Sequence, residues 1–369
     1  MKLTIIAAIL VSAACLSIQQ LESQEHINRH GNVVGNSDVI FVHVNPVSAH
    51  VANGLFVFES DGTNWSHKQT VLEDAFTSLH LAGFGGGRLL ISGIMDGVEN
   101  NYGVAVYDVK GSQLSPIQKF TLTPNDERSI IAASSQDTNH VIGLSMSQEG
   151  QYTVRTWKLA GSEYTDDTSM VIGTNLRLEL VDVLSVVDDK MFATAMNNYS
   201  DRAITVFNYI TDSSRWELSQ RIPVPNDYGM GTGGFGILPF HAKRVMRQGE
   251  EVTELVVFER AGSGQLGVTA KVQIKMPETR GTVICTGMSS RVVDSSTIEV
   301  VSSFSEYGSA RNTYVNRVTV KKLAAGWAIA NTESVKQAGA YYGYNYLWVL
   351  NDGAVLASYS NNEIFIRAN

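Results

Sequence analysis

The chain has 369 residues, enough for a large hydrophobic core, and 44% of them are apolar, as in ordinary globular proteins. Charged residues make up only 17%, and the formal net charge is -8. Because phosphate backbones and anionic lipids require a cationic partner surface, this charge argues against nucleic acid or an acidic membrane as partner.

The N-terminus predicts secretion. A positive start at residues 1–2 precedes an apolar run at 3–11, and small residues suited to a signal peptidase follow at 12–15. The run is too short to span a bilayer, and no other apolar stretch is longer. We therefore predict a signal peptide and leader at 1–23 and a mature protein outside the cell.

Two other interpretations of this segment stay open. Residues 3–11 could form a buried helix or strand, and acylation of Cys15 could anchor the protein to a lipid surface. The second cysteine, Cys285, lies in an apolar strand-like run, and we expect a buried, unreactive thiol there. The rest of the chain, 24–369, is predicted to form a single domain.

From residue 38 onward, short runs of Val, Ile, Phe, Tyr and Thr recur between clusters of Gly, Asn, Asp and Ser, which predicts strands and turns. Six runs align as an apolar strand, a small polar turn, and an aromatic residue or Leu that begins the next strand. These strands are 55–58, 104–107, 153–157, 204–207, 255–258 and 318–320, and the residues after the turns are Trp65, Leu114, Tyr164, Trp216, Leu266 and Trp327. A truncated seventh strand is predicted at 363–366.

The repeat has a period of about 50 residues, which is typical of propeller blades. Two further strand candidates lie in each unit, for example at 178–187 and 191–196. Four strands per period predict an all-β fold, a β-propeller of about seven four-stranded blades, with six or eight as alternatives. We expect pairing of N- and C-terminal strands to close the ring, because closure removes exposed strand edges.

Four segments resemble FG-GAP repeats, the blades of integrin-alpha-type propellers. The stretch 56–65, with the sequence FVFESDGTNW, is similar to the hairpin of that family, and 215–220 is similar to the strand that follows it. Gly83-Phe84-Gly85 and Gly234-Phe235-Gly236 stand where the family has its Phe-Gly element. The resemblance implies a propeller. It does not extend to the family's calcium loop, because the acidic pairs at 166–167 and 188–189 do not alternate, so no calcium site is carried over.

Histidines cluster early in the chain. Six of the eight lie in the first quarter, at His26, His30, His43, His50, His67 and His80. Histidine is a common metal ligand, so His43, His50 and His80 are candidate ligands. Their spacing matches no zinc pattern, and scattered surface histidines are the competing interpretation. No cofactor is predicted, and a metal ion is kept as an alternative.

The densest aromatic segment lies at 341–348. Tyr341, Tyr342, Tyr344 and Asn345 could bind a glycan, because aromatic faces stack on sugar rings and amides bind hydroxyls. The competing interpretation is that these rings pack between the last blade and its neighbours.

Two other patterns carry weaker predictions. Asn64 and Asn198 each begin an Asn-x-Ser acceptor for N-glycosylation. The glycine-rich stretches 83–87 and 229–234 lead into strand-like sequence, so we expect tight turns there and no phosphate cradle.

No catalytic motif stands out, so the sequence favours a secreted binding protein that recognises an extracellular glycan or protein through its loop face. The alternative is a secreted hydrolase or lyase with a site built from several blades, which the propeller fold permits. A surface-attached structural protein is a third interpretation and requires acylation of Cys15. Closed propellers are commonly monomeric, so we expect a monomer.

Overall fold

The repeated apolar runs form antiparallel strands, and the chain is an all-β propeller, as predicted. A computed structural model describes the following residues: 18–20, 30–44, 54–62, 65–72, 76–95, 102–121, 126–133, 138–147, 151–173, 181–196, 202–225, 228–247, 250–279, 281–307, 312–338, 346–350, 352–353, 355–358 and 364–367. Within these ranges, no helix is long and apolar enough to cross a membrane.

Six blades are each built from four strands that follow one another in the sequence. Blade 1 comprises β2 (His30–Gly35), β3 (Val39–Val44), β4 (Gly54–Ser60) and β5 (Trp65–Leu72). Blade 2 comprises β6 (Phe76–Gly85), β7 (Arg88–Met95), β8 (Tyr102–Lys110) and β9 (Gln113–Thr121). Blade 3 comprises β10 (Asp126–Ala133), β11 (His140–Ser147), β12 (Tyr152–Ala160) and β13 (Glu163–Gly173).

Blades 4 to 6 repeat this order. Blade 4 comprises β14 (Val181–Asp188), β15 (Met191–Met196), β16 (Ala203–Ile210) and β17 (Arg215–Pro223), with a 3-10 turn at Thr211–Ser213. Blade 5 comprises β18 (Tyr228–Met230), β19 (Ile237–Arg247), β20 (Glu250–Arg260) and β21 (Leu266–Ile274). Blade 6 comprises β22 (Thr282–Asp294), β23 (Thr297–Tyr307), β24 (Asn312–Leu323) and β25 (Gly326–Ala338).

The remaining four-stranded sheet joins the two ends of the chain, and we call it the C-terminal sheet. It contains β26 (Tyr346–Val349), β27 (Val355–Ser358), β28 (Ile364–Arg367) and β1 (Ile18–Gln20), which pairs with β28. Six blades are thus continuous in sequence, one fewer than the predicted count of about seven. Strand β1 lies inside the segment predicted as leader.

The hydrophobic core lies between blades. Each cluster of buried side chains joins two consecutive blades, from blades 1 and 2 through to blades 5 and 6. In β8, for example, Val104 and Val106 pack toward blade 3, whereas Ala105 and Tyr107 pack toward blade 1. Side chains at successive positions point to opposite faces of the sheet, and both faces are buried. Every position is therefore apolar, and the strand appears in the sequence as a continuous apolar run.

The aligned hairpins of the sequence are the third and fourth strands of each blade. Their aromatic positions are buried against the neighbouring blade, as Tyr164 and Trp216 show. The residues that repeat in the sequence are therefore those that pack between neighbouring blades. Cys285 is buried in the same way between blades 5 and 6, as predicted, and burial raises the pKa of its thiol to about 11.

A glutamine four residues after the aromatic position links the outer strands of adjacent blades. Gln118 of β9 accepts the backbone N–H of Tyr164 at 2.7 Å and donates to its carbonyl at 2.8 Å. Gln220 of β17 does the same to Leu266, at 3.0 and 2.9 Å. Each side-chain amide copies one rung of a β-ladder across the gap between blades. Gln69 donates to the Ser112 carbonyl at 2.6 Å in the same direction.

The first strands of neighbouring sheets contact one another, for example β2 with β6 and β22 with β26. This arrangement places the first strands around the propeller axis and the fourth strands at the rim. The turn after each first strand therefore lies at one end of the central channel.

Candidate functional site

A cavity of about 650 Å³ lies where the first strands of several blades end. Its size falls in the range of small-molecule sites. The lining residues are Asn36, Asp38 and Val39 of blade 1, Phe84, residues 85–87, Val109 and Gly111 of blade 2, Thr232 of blade 5, Arg291, Val292 and Val293 of blade 6, and Val349 and Asp352 of the C-terminal sheet.

Two carboxylates from opposite ends of the sequence meet at this cavity. Asp38 and Asp352 are both exposed. The Asp352 Oδ2 accepts a hydrogen bond from the backbone N–H of Ser37, so the C-terminal sheet is tied to blade 1 at the cavity wall. Asn36 fixes the turn on the other side, because its Oδ1 accepts the backbone N–H groups of Asp38 and Val39, both at 2.9 Å. The turn that carries Asp38 is therefore braced by Asn36, and Asp352 is held by its hydrogen bond from Ser37.

Arg291 is the cationic residue of the lining, and a buried carboxylate holds its guanidinium group in place. Its Nε donates to Glu299 Oε2 at 2.7 Å, and the other oxygen of Glu299 accepts from Arg317 Nη2 at 2.5 Å. Arg291 and Glu299 are each less than 9% exposed. One carboxylate thus pairs with two guanidinium groups in a largely buried environment, where the loss of a partner is costly.

The C-terminal sheet covers this ion triad with a glycine. A Cβ at Gly353 would lie 2.9 Å from Arg291 Nη2 and closer still to the guanidinium of Arg317. The backbone φ of Gly353 is +94°, a conformation that side chains rarely adopt. Glycine at this position lets the sheet approach the triad and complete the cavity wall.

A buried histidine–serine pair lies nearby, between blades 5 and 6. The His241 Nδ1 is 3.0 Å from Ser290 Oγ. Burial, together with Lys243 and Arg202, lowers the pKa of His241 to about 4, so the imidazole is neutral at pH 7.

Backbone covers both members of this pair. A Cβ at Gly229 would lie 2.5 Å from His241 Nε2, and one at Gly231 would lie 2.6 Å from the Ser290 carbonyl oxygen. The pair therefore packs under the glycine-rich stretch 229–234 and does not face the cavity. It resembles a catalytic dyad in composition, yet its geometry is that of a structural contact.

The predicted site residues mostly fall outside the structure's described ranges. This holds for Tyr341, Tyr342, Tyr344, Asn345, His50, Asn64 and Asn198. The backbones of His43 and His80 are described, in β3 and β6, where they pair with Leu55 and Ser92. Among the described residues no group of three or more His, Cys, Asp or Glu could hold a metal ion.

The two Phe-Gly elements do not occupy equivalent positions, contrary to the resemblance. Phe84 is a buried strand residue whose ring lies 5.3 Å from that of Phe41. Phe235 is 49% exposed and lies in the turn after β18. By turn position, Phe235 corresponds to Gly86. Identical tripeptides thus differ because one belongs to a strand and the other to a turn.

Sequence reasoning missed the residues that line the cavity. Asp38 appeared only as part of a strand candidate, and Arg291 and Asp352 carried no motif. One usable signal was present: each lies within three residues of the turn that follows a first strand, and in a closed propeller these turns converge.

No protein-family model and no curated protein matches this sequence, so the FG-GAP resemblance is not confirmed. Solved propeller structures are similar at low identity. The periplasmic gluconolactonase PpgL of Pseudomonas aeruginosa is 13% identical over 90% of this chain and 86% of its own, with a TM-score of 0.44. YCF48 from Cyanidioschyzon merolae is 9% identical over 95% and 98%, with a TM-score of 0.48. The SapL1 lectin, solved with alpha methyl fucoside, is 12% identical over 83% and 96%, with a TM-score of 0.43. All three likenesses are too distant to carry a function.

Proposed function

We propose that this chain is a secreted binding protein that holds an extracellular glycan in the cavity between blades 1, 2 and 6 and the C-terminal sheet. The observation that carries the proposal is that two exposed carboxylates, Asp38 and Asp352, line one cavity. Carboxylates accept hydrogen bonds from adjacent hydroxyl groups, which sugars present in pairs.

The remaining lining fits the same ligand class. Val39, Val109 and Val349 supply an apolar wall for the C–H face of a sugar ring. Two exposed carboxylates in the lining, on a protein of net charge -8, disfavour an anionic ligand. A neutral, hydroxyl-rich molecule meets both conditions.

Replacement of either carboxylate by its amide tests the proposal. We expect D38N and D352N each to weaken glycan binding about 10- to 100-fold, because a hydrogen bond to a charged group contributes about 1.5–3 kcal/mol. A glycan array identifies the ligand, and titration calorimetry measures the affinities. D189N is the matched control, since Asp189 is an exposed carboxylate on the equivalent turn of blade 4. Unchanged affinity in both cavity variants would contradict the proposal.

One observation favours the second candidate, a hydrolase. Two carboxylates line this cavity, and glycoside hydrolases generally use two carboxyl groups for catalysis. The same array ligands, incubated with the native protein, distinguish the two functions. Turnover that is lost in D38N or D352N would establish the enzyme, whereas binding without turnover supports the binding protein.

Several sequence predictions stay proposals. Tyr341, Tyr342, Tyr344 and Asn345 precede β26, whose far end at Val349 lines the cavity. We keep them as a second glycan contact. Metal binding by His43, His50 and His80, N-glycosylation at Asn64 and Asn198, and a monomeric state are kept as hypotheses in the same way.

We also propose that the C-terminal sheet is a seventh blade that closes the ring. It contacts blade 6 through β22 and β23, and it contacts blade 1 through the hydrogen bond between Ser37 and Asp352. Its outer strand is β1, paired in register from Ile18 with Arg367 to Gln20 with Phe365. This closure requires that signal peptide removal leaves residues 18–20 on the mature protein, so cleavage near residues 12–15 is compatible with it.

Two truncated chains isolate the contribution of β1. One begins at residue 18 and the other at residue 21, so they differ only by β1. We expect the shorter chain to lose about 2–3 kcal/mol of unfolding free energy and to aggregate, because it loses ladder hydrogen bonds and exposes a strand edge. Thermal melts and light scattering measure both effects. Equal stability of the two chains would refute closure by β1.

A further inference from the structure

The turn between β18 and β19 places a phenylalanine in an unfavourable backbone conformation. Gly234 and Ile237 exchange backbone hydrogen bonds of 2.9 and 2.8 Å, so residues 235–236 form a two-residue hairpin loop. Phe235 has a φ of +51° and Gly236 a φ of +74°. Such turns prefer Asn, Asp or Gly at the first position, because a Cβ is strained there.

The fold itself does not require phenylalanine at this position. The equivalent hairpin of blade 2, between Gly85 and Arg88, has Gly86 and Gly87 at φ values of +56° and +73°. Phe235 also gains little from burial, since about half of its surface is exposed. Strained residues that folding does not explain concentrate at functional sites.

The turn is braced by the blades on both sides. The backbone N–H of Gly233 donates to Ser185 Oγ of blade 4 at 2.7 Å. Thr232 donates to the carbonyl of Ser290 at 2.9 Å and accepts from the N–H of Val292 at 3.0 Å, both in blade 6. The backbone that carries Phe235 is therefore held by both neighbouring blades.

Phe235 also lies within a short stretch of backbone of a cavity-lining residue. Thr232 is part of the cavity lining and precedes Phe235 by three residues, a separation that spans at most about 10 Å. Both belong to the same end of the channel, where the first strands end. An occupant of the cavity that extends outward over Thr232 reaches Phe235.

We propose that Phe235 is a stacking platform for a second sugar unit, so that the ligand is an oligosaccharide with one unit in the cavity and another over this ring. The inference rests on the proposed glycan-binding function and adds ligand length to it. Aromatic rings stack on the apolar face of sugar rings, and a residue whose backbone is fixed before binding loses less conformational freedom.

Replacing Phe235 with glycine distinguishes an effect on ligand affinity from an effect on stability. F235G relieves the backbone strain, so we expect it to melt no lower than the native protein. Its affinity for the array oligosaccharide should fall about tenfold, whereas affinity for the corresponding monosaccharide should stay within twofold. F235W should keep the oligosaccharide affinity within about twofold, because indole provides a larger stacking face.

The control is L218Q, since Leu218 is an exposed apolar residue, 44% exposed, on outer strand β17. It should bind as the native protein does. If D38N weakens oligosaccharide binding and F235G does not, the platform is refuted and the cavity function stands. If the native protein binds no glycan, both proposals fail.

Discussion

Replacing Glu299 with alanine is expected to lower the unfolding free energy by about 3–5 kcal/mol and to abolish binding in the cavity. The carboxylate of Glu299 forms ion pairs with both Arg291 and Arg317, and all three side chains are at least four-fifths buried. Removing one partner of a buried ion pair leaves uncompensated charge, which costs far more than an exposed pair contributes. Arg291 also loses the contact that positions it at the cavity wall. Urea denaturation and ligand titration measure the two effects.

E251Q is the matched control for this change. Glu251 pairs with Arg244 at 3.2 Å, but both side chains are about half exposed. Exposed pairs contribute at most about 1 kcal/mol, so E251Q should unfold nearly as the native protein does. If E299A and E251Q cost the same, the triad is not a buried electrostatic unit.

The second large effect is acid destabilisation through His241. The imidazole is excluded from water and lies near Lys243 and Arg202, which lowers its pKa to about 4, against about 6.5 in an unfolded chain. Between these values the unfolded chain binds a proton that the native state does not. Stability from this source is complete above pH 6.5 and is lost as the pH falls toward 4, by about 3 kcal/mol.

H241Q tests this linkage, because glutamine can still contact Ser290 and does not titrate. We expect the difference in unfolding free energy between the native protein and H241Q to shift by about 3 kcal/mol in favour of the variant from pH 7 to pH 4. H67Q serves as the control, since the His67 ring is only partly buried, against Phe56 and Phe58. Parallel stability curves for the native protein and H241Q would show that His241 does not cause the acid sensitivity.

The fold was predictable because every blade must bury both faces of its sheet against neighbouring blades. A strand buried on both faces must be apolar at every position, and Val104 to Tyr107 meets that condition. The turn and the aromatic residue that follow recur for the same reason, since Tyr164 and Trp216 fill the gap between blades. The repeat of about 50 residues therefore made the propeller architecture predictable from the sequence.

The candidate site carries no sequence motif, and the nearness of its residues to the turns after first strands does not say which turns meet. Ser37 and Asp352, which meet at the cavity, are 315 positions apart. The two Gly-Phe-Gly tripeptides also show that local sequence does not determine structural position. Phe84 is buried in a strand and Phe235 is exposed in a turn, although their neighbours are identical. Where a tripeptide falls relative to a turn depends on strand pairing, which is a property of the whole blade.

The glutamine links between blades also decide where the ring is mechanically weakest. Gln118 fastens blade 2 to blade 3, and Gln220 fastens blade 4 to blade 5. The corresponding residue of blade 3 is Thr168, whose hydroxyl instead lies 2.6 Å from that of Thr156 in its own blade. Blade 5 has Ala270 at this position, so the glutamine link is absent both between blades 3 and 4 and between blades 5 and 6. Under a pulling force, we therefore expect neighbouring blades to separate first at one of these two contacts.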